Sequence, residues 1–280
     1  MSEQVQLIEE SLKQLINRGG IEVPMLPEVA NKALLLAQST DSDASEMAQL
    51  IQSDQSLAGH VMRIANSAAY TPLSNLVSLQ QAIARLGMAT ISEIALTAAI
   101  GAKMFNTPGY EDYVSGVWQH ALATSLWSKE VARQCRSNVE VAFLAGLLHS
   151  IGRPAVLQTI LDLAKQEHIE LSDADVHQLE NTYCYQVSKA VVNRWKMPTL
   201  VIEAIDSYTD SRSSLAIENH AAQIIAGSKF ANNMLAPENF DREVLLGLPV
   251  FETLNLYQDE VEELLTKTDS VAQRLEGLSS

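Results

Sequence analysis

The sequence predicts an all-α protein. Apolar residues recur at three- and four-residue intervals along most of its 280 positions, and no stretch alternates convincingly as a strand would. Aromatic residues make up only 5% while Ala and Leu abound, which suits helix-on-helix packing better than a β-sandwich. Turn formers and capping residues fall at the ends of the periodic segments.

The elements follow in order. Ile8, Leu12, Leu15 and Ile16 form the first apolar stripe, and Gly19-Gly20 stops it. Pro27 lies near the first turn of the next helix, which carries Val29, Ala33, Leu34 and Ala37 on one face. Asp41 or Asp43 caps a short helix bearing Met47, Leu50 and Ile51. Ser53 or Asp54 caps another, with Leu57, Val61 and Ile64 inward. Ser78 opens a segment with Leu79, Ile83 and Leu86, and Gly87 closes it as a left-handed C-terminal cap. A further helix over about 89–105 buries Ile91, Ile94, Ala95 and Ala98.

After these six segments, "NTPGYED" (106–112) is the best internal boundary. A long helix then runs over about 110–136, with Val114, Val117, Trp118, Ala121, Leu122 and Ser125 on one face and His120 at mid-length. Every residue from Val141 to Leu148 is apolar or glycine, and His149-Ser150 follows at once. Helices are expected over 155–167 and around 173–183, followed by "YQVSKAVVNRW" and by "MPTLVIEAIDSY", which Pro198 begins. "LAIENHAAQIIAGSKFANNML" reads as another helix, and two shorter ones close the chain. The whole is a two-part helical bundle, 1–107 and 108–236, with the helices of 237–280 packed on it.

Composition narrows the function. Thirty-four acidic against 19 basic residues leave a net charge of −15, which repels phosphate backbones and anionic lipid headgroups, so neither nucleic acid nor a membrane is expected as a partner. Cys135 and Cys184 fit packing in a reducing compartment. The N-terminus is acidic and amphipathic, unlike a signal peptide, and no apolar run reaches the ~20 residues that span a bilayer. A cytoplasmic protein is expected.

The histidines carry most of the chemistry. His120 and His149 lie 29 residues apart with a turn between, so two antiparallel helices could bring them together as the start of a metal site, although single helix histidines are more commonly satisfied core or surface residues. His60, His168, His177 and His220 read as solvated helix faces, as do the acidic pairs Glu9-Glu10 and Glu262-Glu263. Trp118, Trp127 and Trp195 read as core. Ser150 beside His149 is no catalytic triad, because neighbours on a helix point about 100° apart. Nucleophile elbows and Gly-rich phosphate loops are both missing from the sequence.

The Leu26-Pro27 entry, Ile51…Asp54…Leu57, Asn66-Ser67 and Ala82-Ile83…Leu86-Gly87 occur in the order that marks the HDOD family, which the chain resembles from about residue 20 to 210. That family is related to the HD phosphohydrolases and is associated with bacterial signalling. The resemblance implies an HD-domain-like second part. In HD enzymes a His, a His-Asp pair and a distant Asp hold divalent metal, which activates a water for phosphoester hydrolysis.

By that resemblance His120 falls at the first ligand position and His149-Ser150 at the His-Asp pair. Tyr185 stands where relatives often have a His, and Tyr208 with Thr209 where a His pair is common. Lys229 falls at the distal Asp. A neutral Ser150 is a weak ligand. A Lys229 charge ~5 Å from a divalent ion, at an effective dielectric of ~20, would repel it by roughly 6–7 kcal/mol. The resemblance therefore implies a non-catalytic regulatory protein with no cofactor. It would bind a partner protein, a nucleotide or another small signal through its surface or a cleft of His120, His149, Ser150, Tyr185, Tyr208 and Lys229. The alternatives are a metal-dependent phosphohydrolase with an altered site and a nucleotide sensor without hydrolysis.

Overall fold

The computed structural model describes residues 3–71, 76–101, 104–210 and 218–279. Helices dominate, and no strand occurs among the described residues. The first six are α1 (Glu3–Asn17), α2 (Glu28–Gln38), α3 (Ala44–Gln52), α4 (Gln55–Ala65), α5 (Leu79–Leu86) and α6 (Met88–Ala99). Next come α7 (Glu111–Gln134), α8 (Val139–Leu148), α9 (Gly152–Glu167), α10 (Asp173–Arg194), α11 (Thr199–Asp210) and α12 (Asn219–Leu235). Four shorter helices follow: α13 (Arg242–Leu246), α14 (Pro249–Thr253), α15 (Gln258–Leu265) and α16 (Thr268–Ser279). The expectation of only two closing helices is thus corrected. The expected helical residues 102–103 and 215–217 lie outside the described residues.

Caps form where oxygen-bearing side chains precede apolar runs. Asp43 accepts from the Ser45 and Glu46 amides, Asp54 from Leu57, Ser78 from Gln81 and Asn138 from Val141. Between α5 and α6, Gly87 has φ +83 and ψ 157, so it ends α5 at positive φ but not in the left-handed helical conformation expected. From Asp173 to Arg194 the sequence has neither Gly nor Pro, and Ser172 caps its start. One 22-residue α10 therefore stands where two helices were expected.

The chain divides into two compact units, each discontinuous in sequence. One comprises Met1–Pro24 and Ala102–Val261, the other Met25–Gly101 and Glu262–Ser280. The internal division falls at 101/102, with α1 in the first unit and α16 in the second. In the second unit α2 to α6 pack on one another around Ile51, Ile64, Ile91 and Ile94, and α16 lies against α6.

In the first unit α1 rests on α9 and α10. Glu9 does not sit on a solvated face as expected: it accepts a hydrogen bond from the Tyr183 hydroxyl at 2.7 Å and pairs with Lys13 at 2.8 Å. Trp127 and Trp195 are buried and the Trp195 indole donates to the Pro24 carbonyl, whereas Trp118 is only half-buried. Val139–Glu167 is long and apolar enough to cross a membrane by composition, yet 83% of its most apolar stretch is buried in the fold. It is a core segment.

The centre of this unit is α7, flanked by α8 and α12. Small residues draw the three together. A Cβ on Gly146 would come within 2.8 Å of the Ser125 Cα, and one on Gly227 within 2.8 Å of the Ser128 amide nitrogen. Ser125 and Ser128 turn their hydroxyls to the carbonyls of Leu122 and Gln223. Close approach at these points places His120, His149 and Ser228, each within a turn or so of a tight contact, around a common space.

Candidate functional site

That space is a cavity of about 500 Å³ within the first unit, lined by residues of α7 to α12. On α7 its walls are Asp112, Tyr113, Gly116, Val117 and His120, one stripe at helical spacing. His149, Ser150 and Arg153 come from the α8–α9 junction. Tyr185 is contributed by α10, Tyr208 by α11, and Ser228 and Asn232 by α12.

The junction is held from behind. Gly152, at the start of α9, lies so close to α10 that a Cβ there would strike the Cys184 carbonyl oxygen and Ser188. Its amide donates to the Ser188 hydroxyl at 2.9 Å. This fixes the turn carrying His149 and Ser150, both buried. The His149 Nδ1 lies 2.7 Å from the Gly146 carbonyl in the last turn of α8. Burial, then the nearby His120 and Arg153, push its pKa down to about 3, so the ring is neutral. A neutral ring bonded to a carbonyl carries its proton on Nδ1 and leaves Nε2 an acceptor.

The ring of His120 is centred 6.0 Å from that of His149. Burial and the Arg153 charge hold its pKa below the usual value, against hydrogen bonds with Ser228 and Asn232. Ser228 Oγ is 3.5 Å from its Nε2. Tyr208 meets His149 edge-on, with ring centres 5.3 Å apart, and Tyr185 lies 5.7 Å from Tyr208. The hydroxyl of Ser150 is buried, with no hydrogen-bond partner in the protein.

Arg153 is the cation of the cavity. Its Nη1 donates to Glu180 Oε1 at 2.8 Å and to the Tyr113 hydroxyl at 3.3 Å, while Tyr113 donates to Glu180 Oε2 at 2.7 Å. Glu180 is fully buried on α10. Behind this group His177 lies 3.7 Å from Glu180 and against the Tyr113 ring, so it is not the free surface histidine expected. Burial, with Glu180 beside it, pushes the Tyr113 hydroxyl up to about 12.

Five of the six residues expected in the cleft are together here: His120, His149, Ser150, Tyr185 and Tyr208. Lys229 is the correction. It is exposed outside the cavity, and Ser228, one residue earlier and so 100° around α12, faces His120 instead. The repulsion expected from Lys229 has no source there. Thr209 turns its hydroxyl back to the Ile205 carbonyl. Asp112, Tyr113, Arg153, Glu180, Ser228 and Asn232 were missed, although the spacing of Tyr113, Val117 and His120 on α7 was a readable signal. Among the described residues, no three His, Cys, Asp or Glu side chains converge as a metal-binding group.

The fold recurs in solved structures. A Geobacter sulfurreducens "HDOD domain protein with unknown function" superposes with a TM-score of 0.70 at 21% identity, covering 98% of this chain and 99% of that one. A Shewanella amazonensis protein named "Putative metal-dependent phosphohydrolase" gives 0.70 at 18%, covering 99% of each chain. A Marinobacter aquaeolei "Putative signal transduction protein" gives 0.67 at 22%, covering 99% of this chain and 67% of that one. A Treponema pallidum protein is 20% identical over 193 residues, and the matched part is 66% of this chain but only 37% of that relative. Residues 23–211, well over half the chain and reaching from before α2 through α11, match the model of the HDOD domain, and the chain belongs to that family.

Proposed function

We propose that this chain is a non-catalytic signalling protein of bacteria, working in the cytoplasm by holding a partner protein or small signal rather than by hydrolysing a phosphoester. The observation that carries the reading is the donor set of the cavity. Two neutral imidazoles, one already bonded to a carbonyl through Nδ1, face an uncharged serine hydroxyl and a guanidinium. A divalent ion favours anionic oxygen or several imidazoles, and a positive neighbour opposes it. Among the described residues of the lining Asp112 is the only carboxylate, at its exposed end. The set does not fit a catalytic metal, and no hydrolytic step is built on one.

The competing reading is a metal-dependent phosphohydrolase with an altered site. His120 and His149, side by side, favour it. Metal analysis of the purified chain decides, together with turnover of bis-p-nitrophenyl phosphate in added Mn, Fe, Zn or Mg. The expected outcome is substoichiometric metal and no turnover above buffer. Stoichiometric metal with turnover that His149→Ala abolishes would sink the non-catalytic reading, most clearly if Ser150→Asp left that turnover unchanged.

A further inference from the structure

The chemistry of the cavity says what kind of small signal it takes, an inference that rests on the binding reading above. Tyr113, His120, His149, Tyr185 and Tyr208 give the lining five rings. Aromatic edges and faces favour a flat ring as occupant. About 500 Å³ is in the range of sites for small organic ligands.

The hydrogen-bonding groups left over are specific. Ser150 is 5% exposed, lines the cavity, and its hydroxyl has no partner in the protein. Buried hydroxyls are nearly always bonded, so this one points to a group brought by a ligand. Next to it in the same wall, His149 sets Nδ1 2.7 Å from the Gly146 carbonyl, which in the neutral ring leaves Nε2 as an acceptor. The occupant must therefore offer an N–H or O–H to His149 and a polar atom to Ser150.

Charge sets the third condition. Among the described residues of the lining Arg153 is the one cation, and it already faces the fully buried Glu180 at 2.8 Å. With Asp112 at the rim, the described lining holds no excess positive charge. A phosphate dianion entering here would meet a cation that is already neutralised and two carboxylates.

We infer that the cavity binds an uncharged, planar heteroaromatic molecule of nucleobase or nucleoside size. It seats its ring among Tyr185, Tyr208 and His149, donates an N–H to His149 Nε2 and bonds the Ser150 hydroxyl. The phosphorylated form of the same molecule is the poorer ligand.

Isothermal titration of the full chain with adenosine, guanosine and their 5′-monophosphates tests this. At least one nucleoside should bind with a Kd of about 10–100 µM, the range expected of a ligand of this size, and its monophosphate at least about tenfold more weakly. Ser150→Ala should weaken the nucleoside by about tenfold. Its melting temperature should stay the same or rise, because an unsatisfied buried hydroxyl has gone; that reading separates lost binding from lost fold. The inference fails if neither nucleoside binds at about 1 mM, if the monophosphate binds as tightly, or if Ser150→Ala binds like the wild type. A chain that neither hydrolyses nor takes nucleosides overturns the ligand class alone. A metal-loaded, hydrolysing chain overturns the reading beneath it.

Discussion

His149 carries more of the site's character than any other residue. It ends the most apolar helix of the chain, and the structure keeps it neutral by burying it. Its folded pKa, about 3, lies below the ordinary value of 6.5, so the unfolded chain takes up the proton first. The stabilisation from a neutral His149 is therefore fully present above about pH 6.5 and is lost as pH falls toward about 3. By about pH 5 the loss reaches roughly 2 kcal/mol. His120, also held low by burial, acts in the same direction. Urea unfolding at about pH 7.5 and about pH 5 measures it: His149→Gln should lose roughly that share of the pH dependence, while carboxylate titrations common to both proteins cancel. An unchanged pH dependence in the variant would mean that the folded protein accepts a charged ring at this position.

At the scale of elements, the cavity depends on how α9 and α10 are tied. Arg153 and Glu180 join them across a wall where Glu180 has no contact with solvent and Arg153 is 21% exposed. Removing the arginine leaves a buried carboxylate uncompensated, so Arg153→Met should destabilise by about 3–5 kcal/mol. Replacing both, as Arg153→Met with Glu180→Leu, should recover most of that loss, which a double-mutant cycle reads directly. Single and double variants of equal stability would show that the pair contributes nothing to the joint. This pair also marks the limit of what the sequence discloses. Helices were legible from periodicity and caps, as with Asp54 and Ser78, because those signals are local. Arg153 gave no signal, since its role depends on a partner 27 residues away on another helix. Lys229 and Ser228 show the same limit at finer grain, for a shift of one residue turns a helical side chain by 100° and exchanges cavity for solvent. His120, His149 and Ser150 were legible because a buried apolar helix ending in polar residues has to place them somewhere enclosed.

At the scale of the whole molecule, the chain order hides the partition. Periodicity finds the last helix but cannot say where it packs, and α16 belongs with α2 to α6 although most of the chain separates them. Val271, Leu275, Gly277 and Leu278 are its buried residues, and a Cβ on Gly277 would come within 3.0 Å of the Ser67 hydroxyl. The turns of α16 therefore complete a core begun at α2, and such long-range closure has to wait until α16 is present. Val271 is fully buried, so Val271→Asp takes a carboxylate out of water into an apolar core, at a cost of several kcal/mol. The earliest amides to lose hydrogen-exchange protection in this variant should be those of α6, which packs against α16, even though the substitution lies more than 150 residues away along the chain. If α6 kept its wild-type protection while α16 alone frayed, the terminal helix would be an appendage to the second unit rather than part of its core.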